Sequence, residues 1–396
     1  MVIEAKPVGN SDRYLSDRRL RLGMVGGGPG AFIGAVHRIA ARLDDHFELV
    51  AGALSSDPER SRAAALDLHI QADRAYPSFA EMASAEAVRG DRIDAVSIVT
   101  PNHLHYAVAK AFLAAGIHVI CDKPLTTSLE DALDLAETVR RTGLVFGLTH
   151  NYTGYPIVRQ ARQMVSAGEL GPLRVVQVEY AQDWLSTPLE STGQKQAVWR
   201  TDPAQNGPAG CLGDIGTHAY NLACFVTGLG CQQVAADLST FVPGRPLDDN
   251  VQILLRFNGG ARGTLWASQV APGNQNNLSL RVYGEKAGLS WRQEDPNSLW
   301  FAPLGKPPML ISRAGPTASQ TTAQASRLPP GHPEGYLEAF AQLYADLAEQ
   351  IVARQAGSSP RPSSMLVPNV EDGVAGMRFI SAVLESSRHN SAWTSI

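Results

Sequence analysis

Five short apolar runs fall in the first 150 residues, at 20–25, 47–54, 93–99, 117–121 and 144–148, and helix-length amphipathic stretches separate them. Strands joined in that way must cross over, and Val/Ile-rich runs of this kind belong to a parallel sheet covered on both faces. Residues 20–150 are therefore expected to form a doubly wound α/β layer of the Rossmann kind. Ser128, with Asp131 three residues on, has the spacing of a capping box and opens one of the intervening helices.

After about residue 151 the rhythm changes. Runs at 173–181, 251–257, 261–268 and 278–283 follow one another, many with only a turn between them, and Asn258-Gly259-Gly260 is a turn signal between two. This predicts an antiparallel sheet in a second α/β unit over residues 151–396, with a helix at 214–226 to cover one sheet face. The stretch 303–333, rich in Pro, Ser, Thr, Gly and Ala, reads as a long surface excursion. No internal repeat or coiled-coil heptad is visible.

Length agrees with two units, because 396 residues exceed what one hydrophobic core usually serves. Residues 1–19 form a polar tail of mixed charge, read as loosely ordered and without the apolar centre of a signal peptide. A formal net charge of -4, with Lys and Arg scattered, argues against nucleic acid as a partner. No run is long enough to span a bilayer. The four cysteines form no CxxC pair and no zinc-type spacing, which fits free thiols in a cytoplasmic protein and gives no sign of a metal.

The first strand runs into Gly26-Gly27-Gly28-Pro29-Gly30-Ala31, with Phe32 and Ile33 opening the next helix. Gly26, Gly28 and Ala31 occupy the GxGxxG/A positions that let a backbone approach a dinucleotide pyrophosphate at a helix N-terminus. The acidic residue expected about 20 residues further on is replaced by Ser55-Ser56-Asp57-Pro58-Glu59-Arg60. Ser55 or Ser56 with Arg60 would suit the 2′-phosphate of NADP. Asp57 would suit a ribose hydroxyl of NAD, or merely cap a helix that Pro58 begins. NAD and NADP both stay open.

Two further segments sit at strand carboxyl ends, where open α/β sheets bind ligands: Thr100-Pro101-Asn102-His103-Leu104-His105 and Cys121-Asp122-Lys123-Pro124. A lysine trapped beside a cofactor can steady an alkoxide as hydride leaves; in an open loop it is only a solvated charge. His103 and His105 read equally well as helix-start residues. In the second unit the four-residue spacing puts Asp214 and His218 on one helix face, and Asn221 continues that face; helix cap and packed core histidine are the plainer readings. The polar side chains of His150-Asn151-Tyr152-Thr153-Gly154-Tyr155, then Gln182-Asp183-Trp184, then His332 are candidates to line a cleft, with hinge, helix-cap or structural roles as the plainer readings.

Taken in order, these motifs resemble the Gfo/Idh/MocA oxidoreductases. The resemblance covers nearly the whole chain and rests on the glycine-rich start, Thr100-Pro101-Asn102, Asp122-Lys123-Pro124 in place of the family's Glu-Lys-Pro, Trp199-Arg200, the run from Asp214 to His218, and Glu371-Asp372-Gly373. It implies a Rossmann domain followed by a domain with an open, mostly antiparallel sheet, a carbohydrate-like small-molecule substrate, and homodimers or homotetramers. By the same resemblance Lys123 bonds the reacting hydroxyl, His218 is the general acid/base and Asp214 orients substrate. Asn102 and Trp199 or Arg200 lie near the nicotinamide, and Lys123-Pro124 is cis. Asp122 is one methylene shorter than Glu, which loosens its implied contact to the cofactor ribose.

The expected chemistry is NAD(P)-dependent exchange of hydride with a secondary alcohol of a sugar or polyol. Branches of the family use the same groups for redox-assisted glycoside cleavage through a 3-keto sugar, which is the main alternative. A non-catalytic dinucleotide sensor is the lower one.

Overall fold

The computed structural model describes residues 18–396, so the expected tail falls outside the described residues apart from Arg18 and Arg19. The first layer runs β1 (Leu20–Gly26), α1 (Phe32–Leu43), β2 (Phe47–Ala53), α2 (Pro58–Asp67), α3 (Phe79–Val88) and β3 (Ala95–Val99). It continues with α4 (His105–Ala114), β4 (His118–Cys121), α5 (Leu129–Thr142) and β5 (Phe146–Leu148). All five strands pair in parallel in the order β2-β1-β3-β4-β5. The order reverses between β1 and β3, which leaves a crevice at their carboxyl ends. Ser128 Oγ accepts the Asp131 N–H at 3.1 Å and so caps α5.

The second layer opens with α6 (Pro156–Ser166), β6 (Leu173–Ala181), α7 (Lys195–Arg200) and α8 (Pro203–Asn206). A π-helical turn, Leu212–Gly216, leads into α9 (Thr217–Thr227). Strands β7 (Cys231–Ser239), β8 (Asn250–Phe257), β9 (Arg262–Ser268), β10 (Asn277–Gly284), β11 (Ala287–Arg292), β12 (Asp295–Pro303) and β13 (Met309–Ser312) follow. The chain ends with α10 (Gln320–Ala325), α11 (Tyr336–Gln355), α12 (Val370–Arg388) and β14 (Thr394–Ser395). The nine strands form one open sheet, β13-β12-β11-β10-β6-β9-β8-β7-β14, antiparallel except where β6 runs parallel to β9. Gly259 and Gly260, at φ 75° and 90°, make the turn between β8 and β9, a conformation that favours glycine.

Alternation positions this sheet. Along β6, Val176, Val178 and Tyr180 point inward while Val175 is exposed, so α9 covers one face and leaves the other open. The first layer gains a cover from late in the chain. Phe340, Leu343, Tyr344, Leu347 and Ile351 of α11 pack with Leu20, Leu22, Val36, Phe47 and Ile120. Tyr344 also reaches His37 Nδ1 at 2.8 Å and Ser97 Oγ at 2.9 Å.

The 303–333 stretch departs from the expected surface excursion. It contains β13 and α10, and within it Arg313 is 3% exposed and pairs with Glu334 at 2.9 Å. Its composition concealed a strand that extends the sheet edge and an arginine that anchors the loop. Among the described residues no helix is long and apolar enough to cross a membrane.

Candidate active site

The glycine loop fits a dinucleotide. A Cβ on Gly26, at φ +80°, would sit 2.7 Å from Val99 O, and one on Gly28 would sit 2.5 Å from Leu54 O. The loop is therefore threaded between the ends of β1, β2 and β3. Ala31 leaves the N-terminus of α1 without a side-chain cap, and no acid stands in the first turn, so its positive end is kept for an anion. Arg38 braces the loop from behind, donating to Gly27 O at 2.8 Å. Phe32 and Ile33 face the cleft between the layers.

That cleft has a volume of about 620 Å³, and Asp122, Lys123, Asp214 and His218 line it together. Lys123 stands just beyond β4, and its peptide bond to Pro124 is cis. Its ammonium donates to Asp214 Oδ1 at 2.8 Å and to the Asp214 carbonyl at 2.6 Å. Asp214 Oδ2 accepts from Arg200 Nε at 3.2 Å and Gln269 Nε2 at 2.9 Å. Burial alone would raise this carboxyl, but Lys123 and Arg200 outweigh it and hold it well below the usual carboxylate range.

The π-turn explains how Asp214 and His218 share a face, since a wider turn keeps residues four apart nearly in line. Asp248 caps its start, accepting from Gly210 N at 2.6 Å and Leu212 N at 2.8 Å. His218 is buried against Tyr152, with ring centroids 4.9 Å apart, and its Nδ1 meets His150 Nδ1 at 3.4 Å. Desolvation first, then the charge of Lys123, pushes His218 well below the ordinary imidazole range, so it is neutral near pH 7.

A polar but uncharged wall stands on the sheet side. Tyr180 donates to Asn276 Oδ1 at 2.7 Å, Gln182 to the same oxygen at 2.8 Å, and Asn276 to Gln293 Oε1 at 3.0 Å. Trp184 donates to Gln182 at 3.0 Å, and the Tyr152 and Tyr180 hydroxyls are bonded to each other. Among the described residues the buried Asn151 Nδ2, on the cleft wall, and the buried Thr100 Oγ1, next to Gly26 of the glycine loop, have no hydrogen-bond partner. Unpaired buried polar atoms beside a cleft are groups that a ligand can satisfy.

Residues 20–150 match the model of an oxidoreductase family with an NAD-binding Rossmann fold, and residues 158–290 match the GFO/IDH/MocA C-terminal domain. The chain belongs to the Gfo/Idh/MocA family. It is 34% identical to an uncharacterised oxidoreductase of Bacillus subtilis (strain 168), across 97% of this chain and 98% of the relative. A solved oxidoreductase from Sinorhizobium meliloti is 53% identical with a TM-score of 0.87, covering 95% of this chain and 99% of that one. An inositol dehydrogenase homolog from Azotobacter vinelandii, solved with NADH and myo-inositol, is 35% identical with a TM-score of 0.89, covering 96% and 98%.

As a Gfo/Idh/MocA protein the chain is a nicotinamide-dependent oxidoreductase. Several residues expected at the site nevertheless stand elsewhere. His332 is exposed on a loop, where its carbonyl serves Arg313. Asp183 accepts the Gly273 N–H at 3.1 Å and holds a turn. Tyr155 is buried beneath the cleft, stacked on Tyr152 and in ring contact with Trp291. Trp199 does not itself line the cleft but holds two residues that do, its ring lying 4.2 Å from the Arg200 guanidinium and its Nε1 donating to Gln196 Oε1 at 3.3 Å.

His105 turns inward, its Nδ1 on Pro124 O at 2.7 Å and Nε2 on Thr100 O at 3.0 Å, tying together the loops after β3 and β4. Asn102 is buried and donates to Asn206 Oδ1 at 2.9 Å, which joins the Pro101 loop to α8. At the end of β2, Asp57 caps α2 by accepting from Glu59 N at 2.9 Å and Arg60 N at 3.0 Å. Ser55 accepts from Asp57 N at 3.1 Å, while Ser56 and Arg60 are exposed. The shortened Asp122 bonds Thr149 Oγ1 at 2.8 Å. Sequence reasoning missed Tyr180, Asn276, Gln293 and Gln269; only Tyr180, an inward position on a period-2 strand, left a signal.

Proposed function

We propose that this protein exchanges hydride between NAD(P) and a secondary alcohol or ketone of a neutral sugar or polyol. The observation that carries the reading is the meeting of Lys123, Asp214 and His218 in one cleft that Phe32 and Ile33, directly after the glycine loop, also line. A nicotinamide bound there supplies the hydride acceptor or donor. Neutral His218 takes the hydroxyl proton as the alcohol is oxidised, and returns it in the other direction. An ammonium has three protons. Two of those on Lys123 bond Asp214, and the third is left to steady the developing oxyanion.

The charge pattern supports a neutral substrate. Lys123 and Arg200 are both paired with Asp214, and the facing wall of Gln182, Asn276, Gln293 and Tyr180 offers amides and phenols that bond hydroxyls as donors or acceptors. A phosphate or carboxylate would have to displace an internal partner. The open outer face of the nine-stranded sheet, with Leu254, Tyr283 and Trp300 exposed, is where a second copy would pack.

The test is a screen of sugars, polyols and glycosides with NAD and with NADP, read by absorbance of the reduced nicotinamide. Neutral polyhydroxylated substrates should turn over, and their phosphorylated analogues should be poor. Nitrophenol released from nitrophenyl glycosides with no net reduced cofactor would replace this reading by redox-assisted glycoside cleavage.

A further inference from the structure

We infer that His150 is the proton partner of His218, so that the acid/base of this site is a pair of imidazoles and His150 is a positioning residue within it. The inference rests on the reading of His218 as acid/base. Its basis is the Nδ1 to Nδ1 contact at 3.4 Å between two rings set edge to face at 86°. His150 lies just beyond β5, held by its N–H on Leu148 O at 2.9 Å and by Thr153 Oγ1 on its carbonyl at 2.9 Å. It is 3% exposed, which leaves its ring little freedom.

A neutral imidazole carries one proton, on either nitrogen, and the other nitrogen is an acceptor. An Nδ1 to Nδ1 bond therefore needs one proton between the rings. If His218 supplies it, the Nε2 of His218 is bare and acts as a base. If His150 supplies it, the Nε2 of His218 carries hydrogen and acts as an acid. Exchanging the two forms takes the shared proton across the contact while His218 Nε2 gains a proton and His150 Nε2 loses one, with no ring rotation.

During oxidation the substrate O–H bond breaks as His218 Nε2–H forms. The Nδ1–H bond of His218 then breaks as His150 Nδ1–H forms, and His150 loses its Nε2 proton to water. One proton enters the pair and one leaves. The surroundings keep both rings neutral at rest. His218 faces Lys123 from the β4 loop, Asp214 from its own helix, Tyr152 from the turn after β5 and Tyr180 from β6. Burial, then Lys123, lowers His150 to about 3, with Asp122 opposing.

Imidazole ¹⁵N spectra of the full-length resting protein at pH 7 test this directly. One of the two residues should be the Nδ1–H tautomer and the other Nε2–H. Two Nε2–H tautomers would leave the contact without a proton and overturn the inference, whether or not His218 proves to be the acid/base.

Kinetics give a second measurement. His150→Phe keeps an aromatic ring but removes the nitrogens, and kcat should fall about 10–100-fold, on the scale seen when the partner that orients a metal-bound histidine is lost. The pH profile should shift, and His150→Asn, which restores an amide, should recover part of the loss. A His150→Phe profile that superimposes on the parent would overturn the inference. Failure of the acid/base reading itself would show separately, as turnover that persists in His218→Ala.

Discussion

Lys123 Nζ reaches both the side-chain Oδ1 of Asp214, at 2.8 Å, and the main-chain carbonyl of the same residue, at 2.6 Å. Two bonds to one residue fix the ammonium in direction as well as position, and they link the end of β4 to the π-turn of the second layer. The cleft is thus assembled by contacts between the two layers.

If Lys123 steadies the developing oxyanion, Lys123→Met keeps the stem and removes the donors. Its kcat should fall about 10²–10³-fold, as when one oxyanion donor is lost. Dinucleotide affinity, read by fluorescence titration, should change little, because the glycine loop is untouched. A variant with parental kcat would remove Lys123 from the chemistry.

The glycine loop makes a steric prediction. A Cβ at Gly28 would stand 2.5 Å from Leu54 O, a backbone atom that cannot move aside, whereas a Cβ at Gly30 meets nothing within 4 Å. Gly28→Ala should therefore displace the loop, weakening NAD(P)H binding in a fluorescence titration and lowering the melting temperature. Gly30→Ala carries only the strain of its φ of +78°, about 1–2 kcal/mol, and should still bind. Equal behaviour of the two variants would contradict the threading of the loop between β1, β2 and β3.

The legibility of these features in the sequence follows from how local each one is. The parallel layer was readable because apolar runs and helical spacing are short-range, and the glycine loop because strand, turn and helix are contiguous. Lys123, Asp214 and His218 each sat in a recognisable motif. Asn276 and Gln293 did not, because β10 and β11 are aligned by pairing with β6 and with each other, a relation that no local pattern encodes. His332 misled for the opposite reason: a polar residue before a helix resembles a cleft residue, but the chain carries it outward. The role of α11 as cover for the first layer depends on a return across the molecule that strand periodicity cannot reveal.

Arg313 gives a stability prediction. It is buried, pairs with Glu334 at 2.9 Å and donates to Asn297 Oδ1 and Leu328 O, both at 2.9 Å. Arg313→Met would leave a buried carboxylate without its cation, at a cost of about 3–5 kcal/mol. Urea denaturation followed by circular dichroism should show the loss. A change within 0.5 kcal/mol, roughly the level of an ordinary surface substitution, would return the 303–333 stretch to the status of a loose excursion.

Acid should destabilise the fold through its buried histidines. His118 is buried, and its Nδ1 accepts the Val145 N–H at 2.9 Å, a bond that protonation would break. Burial, with Asp94 opposing, lowers it from 6.5 to about 4, and burial likewise lowers His37 to about 4 and His150 to about 3. Between pH 6.5 and those values the unfolded chain binds protons that the folded chain does not, so stability rises with pH across that window and falls as pH drops through it. At pH 5 each imidazole should contribute a loss of about 1–2 kcal/mol relative to pH 7. In His118→Asn the amide oxygen can still accept from Val145, so the fold should persist with a shallower slope of unfolding free energy between pH 7 and 5. If urea titrations at pH 7, 6 and 5 give that variant the parental slope, His118 titrates alike in the folded and unfolded chains, and burial does not control its charge.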